Sequence, residues 1–201
     1  MDTSGWSSSP DEIRPRALNR SGTLGGVKSS TTRISPLFLL IVGLTALGGV
    51  LATVDTELAL TTGVLLLVLG GWALSLCLHE FGHAVTAYRG GDLSVRSKGY
   101  LTLDPRHYTD PVLSIVLPLV FVAIGGIPLP GGAVWINHHA LRSRRTESMV
   151  SLAGPLTNLV LGMLIVAAVS VVPMAPGLAA GLSYLAFLQV IAFVLNVLPV
   201  P

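Results

Sequence analysis

Residues 58–78 read LALTTGVLLLVLGGWALSLCL, carry no charge, and run without a break into His79-Glu80-Phe81-Gly82-His83. At 1.5 Å of helix per residue, a run of this length covers a bilayer core of about 30 Å. The helical pattern continues to about Tyr88, which is longer than the core, so the helix is expected to tilt or protrude. Three ionisable side chains therefore fall near one end of a membrane-type helix. Each costs about 3 kcal/mol at membrane depth unless it is paired or ligated. About nine residues, roughly 14 Å of helix, separate His79 from Arg89, too far for easy escape to water.

Working outward, the whole chain has the same character. Mean hydropathy is +0.74, and only 11% of residues are charged, against about 25% in a soluble domain. The net charge of +2 gives no reason to expect a nucleic-acid partner. The single cysteine, Cys77, excludes an internal disulfide and reads as small packing filler. Residues 1–35 are rich in Ser, Thr, Gly and Arg, lack hydrophobic periodicity, and read as a disordered cytoplasmic tail with no cleavable signal peptide. A first charge-free span follows at 36–54, and Pro173 and Pro176 divide the uncharged stretch after Glu147 into spans at 149–172 and 179–198. Between them, residues 89–110 are polar, and the alternation in Leu93-Ser94-Val95-Arg96 and Tyr100-Leu101-Thr102-Leu103 suggests short strands at the membrane edge. Residues 111–130 are apolar but interrupted by Pro118, Gly125, Gly126 and Pro128.

All twelve Lys and Arg residues lie in 1–35, 89–106 and 142–145. The positive-inside rule puts these segments in the cytoplasm and the N-terminus with them. Residues 111–130 must then enter and leave on one side, as a re-entrant or surface hairpin. The expected fold is an all-α polytopic membrane protein with about four transmembrane helices, that hairpin, and the short edge strands. In this topology spans 58–88 and 179–198 run parallel, and His79, about 21 residues into its span, matches the depth of Asn196, about 17 residues into its own.

His79 and His83, four apart, lie on one helix face, so both imidazoles can reach one metal ion at about 2.0–2.1 Å. Glu80 beside them can take a proton from a water on that metal. The bland alternative is a hydrogen-bonded polar cluster without metal.

Three motifs in order then resemble the site-2 protease family of intramembrane zinc metalloproteases, in its bacterial subgroup without a PDZ domain. They are His79-Glu80-Phe81-Gly82-His83, Ala153-Gly154-Pro155-Leu156-Thr157-Asn158, and Asn196-Val197-Leu198-Pro199-Val200-Pro201. Gly99 to Pro105 and Pro130-Gly131-Gly132-Ala133-Val134 are similar to segments of that subgroup. The resemblance runs from about residue 36 to the end and implies one Zn2+ per chain. It makes His79 and His83 ligands, Glu80 the general base, and Asn158 and Asn196 candidates for substrate or oxyanion binding. It also implies substrates that are single-pass membrane proteins, cut within the bilayer of a bacterial plasma membrane.

The family's third ligand is an aspartate whose spacing from Asn196 falls just beyond Pro201, so residues 36–201 read as a metalloprotease domain cut short at its C-terminus. Asp104, His107, Asp110, His138 and His139 are poor substitutes, because each is expected at the cytoplasmic edge. Gly131, Gly132, Ala133 and Val134 could present a strand edge to an extended substrate, or merely form a turn. The competing functions are a catalytically inactive scaffold, supported by the missing aspartate, and a metal transporter. Against the transporter, the ionisable groups cluster on one helix instead of lining a path.

Overall fold

The computed structural model describes residues 34–108 and 135–198. Ser35 caps the first helix, α1 (Pro36–Leu51), by accepting a hydrogen bond from the Leu37 amide at 3.2 Å. Pro36 occupies the first turn, where a missing N–H costs nothing. α2 (Glu57–Gly90) has 34 residues, about 51 Å of helix, and stops at Gly91, whose φ of +120° suits glycine alone. After two short turns, α3 (Ser94–Ser97) and α4 (Pro105–Tyr108), the described chain resumes at Trp135. Ser143 then caps α5 (Arg144–Val171), accepting from the Thr146 amide at 3.2 Å. Pro176 opens α6 (Pro176–Val197).

α2 is the centre of the bundle and packs on α1, α5 and α6, while α5 and α6 also pack on each other. α2, α5 and α6 are long and apolar enough to cross a membrane; α1 is apolar but only 16 residues long. Just 33%, 22% and 28% of the apolar stretches of α2, α5 and α6 are buried within the protein. The rest, including Leu69, Val171 and Leu195, faces outward, which a lipid surrounding tolerates and water does not. Close helix approach comes from small residues. A Cβ on Gly63 would meet the backbone of Leu51 and Ala52, and one on Gly48 would meet Gly63 O at 2.9 Å.

The ends of the helices gather the cations. The Arg142 amide donates to Gly90 O at 3.1 Å, and the Ser35 amide to Thr102 O at 3.0 Å. The start of α1, the end of α2 and the start of α5 therefore share one end, with Arg89, Arg96, Lys98, Arg106 and Arg144 near it. Lys98 Nζ donates to Trp135 O at 2.8 Å, and Tyr108 OH to Tyr100 O at 2.7 Å. Both flanks of the expected hairpin at 111–130 thus lie at this cationic end. The hairpin itself, the tail up to residue 33, and Gly131, Gly132, Ala133 and Val134 fall outside the described residues. A small core of Cys77, Ala84, Ala87, Val95, Tyr100, Tyr108 and Val150 closes the cationic end.

The expected edge strands are corrected: among the described residues there is no strand. Asp92 Oδ1 accepts from the Ser94 amide at 3.0 Å and the Ser94 hydroxyl at 2.6 Å, an Asx turn that starts α3 instead. Gly99, at φ +77°, ends it, with Tyr100 N bonded to Val95 O and Gly99 N to Arg96 O. That is a Schellman closure. The four-residue alternation was a helical turn with Val95 buried and Leu93 exposed.

Candidate active site

His79 and His83 project from one face of α2, with Nε2 of one 3.1 Å from Nε2 of the other. His79 and Glu80 are buried, at 7% and 4% exposure. His83 Nδ1 lies 2.6 Å from Val150 O on α5. A carbonyl can only accept, so Nδ1 carries the proton, and the neutral ring keeps its lone pair on Nε2. This is the arrangement of a metal-binding histidine steadied by an outer acceptor. Two nitrogens bound to one zinc at tetrahedral angles lie about 3.3 Å apart, close to the spacing found.

α5 meets this face through residues 153–158. A Cβ on Gly154 would collide with His83 Nε2 and would come within 2.6 Å of His79 Nε2. Only glycine leaves room in front of both nitrogens. A Cβ on Gly82 would in turn meet Thr157 Oγ1 at 2.8 Å and Ala153 O at 3.1 Å, so the two motifs interlock. Next to them is a cavity of about 60 Å³, lined by Trp72, Ser75, Leu76, His79, Glu80, Asn158, Ala192 and Asn196. That is room for a few water molecules. Asn158 is buried, while Asn196 donates from Nδ2 to Ala192 O at 2.8 Å. The parallel course of α2 and α6 brings Asn196 to the depth of His79 and Glu80, as the topology requires.

The described residues thus bring two imidazole nitrogens face to face, and among them no group of three His, Cys, Asp or Glu side chains could hold a metal. Two of the suggested substitutes, His138 and Asp104, are engaged elsewhere. His138 Nδ1 lies 2.9 Å from Glu147 Oε1 at the surface. Asp104, at the cationic end, is buried, and Arg106 Nη2 donates to it at 2.7 Å. The Arg106 guanidinium holds the Asp104 carboxyl down at about 2. Asp92 is also lowered: burial opposes this, but bonds from Ser94 and the Asn137 amide outweigh it. Asp110 lies outside the described residues.

With this geometry in place, comparison with known proteins is decisive. Rip2 of Mycobacterium tuberculosis (strain H37Rv), designated a zinc metalloprotease, is 51% identical over 176 residues, which are 85% of this chain and 68% of Rip2. The chain belongs to the site-2 protease family. Rip2 of Mycolicibacterium smegmatis is 49% identical over the same shares. YwhC of Bacillus subtilis, also designated a zinc metalloprotease, is 32% identical over 143 residues, 64% of this chain and 60% of that protein. No family model matches, and no solved structure matches.

Two contributors to the site were missed in the sequence. Val150 acts through its carbonyl, which no side-chain pattern reveals. Gly154 was visible as part of a motif, but that it faces the histidines needed the crossing of α2 and α5.

Proposed function

We propose that this family member is an intramembrane zinc metalloprotease that hydrolyses peptide bonds of single-pass membrane proteins within the bilayer. The observation that carries this is the convergence of the His79 and His83 Nε2 atoms at 3.1 Å, buried in an apolar helix beside Glu80. His79 and His83 would hold the ion. In the site-2 protease family an aspartate completes the set, and Asn196, near the end of α6, lines the same cavity as His79 and Glu80.

Zinc, when bound, supplies Lewis acidity that acidifies water and polarises a carbonyl. Glu80 lines the cavity with His79, where its carboxylate takes a proton from the attacking water and returns it to the departing amine nitrogen. Asn196 sits on the cavity wall, suitably placed to donate to a substrate carbonyl oxygen. An open groove lined by Arg144, Glu147, Ser148, Ser151, Leu152, Pro155, Asn196 and Val197 leads from the cationic end to Asn196. It offers a path for water and for an extended segment, since a helical substrate buries its carbonyls. The chain crosses the plasma membrane several times, with its cationic end and N-terminus in the cytoplasm.

The test is Glu80→Gln in the full-length protein. Zinc content should match wild type, while cleavage of a membrane-anchored substrate falls by about 10²–10⁴-fold. Cleavage at the normal rate would remove Glu80 from the chemistry, and an unbound metal in the wild type would remove the protease reading.

A further inference from the structure

His83 and His79 are treated unequally. The Nδ1 proton of His83 has an acceptor in Val150 O. His79 Nδ1 is buried with no hydrogen-bond partner, and so is Asn158 Oδ1. These orphans are complementary. With His79 Nε2 directed at His83 Nε2 and the Gly154 gap, the proton of a neutral His79 that binds through Nε2 must sit on Nδ1. Of the two ends of the Asn158 amide, only the oxygen can accept it. Asn158 stands within side-chain reach of His79, lines the same cavity, and is itself only 5% exposed. An unmet donor and acceptor at such burial would together cost several kcal/mol, so a small rotation that joins them is strongly favoured.

We propose that Asn158 is the positioning residue for His79, its Oδ1 accepting the Nδ1 proton so that the Nε2 lone pair faces the metal, as the Val150 carbonyl does for His83. The order along the helices fits. α5 runs antiparallel to α2, so Val150 comes level with His83, Gly154 with the gap between the rings, and Asn158 with His79. One helix then steadies both rings, one through its backbone and one through a side chain. This assigns Asn158 to the histidine instead of to the substrate. It rests on the zinc reading above.

The test uses the full-length protein in detergent, stripped by chelator and titrated with zinc against a chromophoric competitor. Asn158→Ala should weaken zinc binding by about 10–100-fold, and Asn158→Asp, which keeps the acceptor oxygen, should bind at least as tightly as wild type. In zinc-loaded wild type, nitrogen NMR of the imidazoles should find the His79 proton on Nδ1; this measurement decides the matter even if Asn158→Ala fails to fold. A proton on Nε2 overturns the proposal. So does Asn158→Ala binding zinc normally while losing only turnover, which would return Asn158 to the substrate and leave the protease intact. A wild type that binds no zinc overturns both readings.

Discussion

The two halves of α2 are built from similar residues and do different work. In the first half, Gly63 lies against the backbone of Leu51 and Ala52, and the contact is backbone against backbone. In the second half, the close approach is made by a glycine of the neighbour, Gly154, and what it faces is the lone-pair side of His79 and His83. A missing Cβ brings two helices together in the first case. In the second it keeps a space open for an ion. Small residues at a membrane helix crossing therefore have two meanings, and only the partner atoms tell them apart.

The same substitution at each position separates these meanings. Gly154→Ala puts a methyl into the Nε2–Nε2 gap, where two rings held by α2 and by Val150 O have little room to yield. Zinc affinity and turnover should both fall by about 10²-fold or more, taking about 2.7 kcal/mol from binding, with a smaller change in the melting temperature of the metal-free protein. Gly63→Ala should do the reverse. Its methyl meets backbone, so α1 and α2 must separate, at a cost of about 1–3 kcal/mol in stability. Zinc affinity per folded molecule should stay at the wild-type value. If Gly63→Ala weakens zinc as much as Gly154→Ala does, the two halves are one mechanical unit and the distinction fails.

Much of this was legible in the residues. The spans expected at 58–88 and 179–198 appear as Glu57–Gly90 and Pro176–Val197, because long apolar runs, one stopped at Gly91 and the other opened by Pro176, leave little freedom. The matched depth of His79 and Asn196 followed from helix rise and the placement of cations. Where short polar segments decide, the reading failed. Asp92 and Gly99 close a helical turn through side-chain and positive-φ geometry, while the alternation around Val95 suggested a strand. α5 begins at Arg144, several residues before the uncharged stretch, because Ser143 caps it and charges are tolerated where a helix end meets water. The pairing of Val150 O with His83 was out of reach, since any residue could provide that carbonyl.

The cationic end holds the smallest expected effect, and it extends the contrast between structural and chemical roles. Asp104 is buried at 4% exposure and accepts from Arg106 Nε at 3.0 Å and Nη2 at 2.7 Å. A Ser35 side-chain bond helps as well, and the carboxyl titrates at about 2, below its ordinary 3.8. A depressed folded pKa means that the native state holds the proton less readily than the unfolded chain. The stabilisation is therefore complete above pH 3.8 and is lost as the pH falls through about 2. Asp104→Asn should lower stability by about 1 kcal/mol at neutral pH, and its unfolding curve should converge on wild type as the pH approaches the lower limit. Zinc affinity at neutral pH should not change, since Asp104 belongs to no group able to hold a metal. A gap between the two unfolding curves that is equally wide at both ends of that window would show that the Asp104 side chain acts by packing alone. A loss of zinc affinity would instead tie this corner to the site, and the separation between the two ends of the mechanism would have to be redrawn.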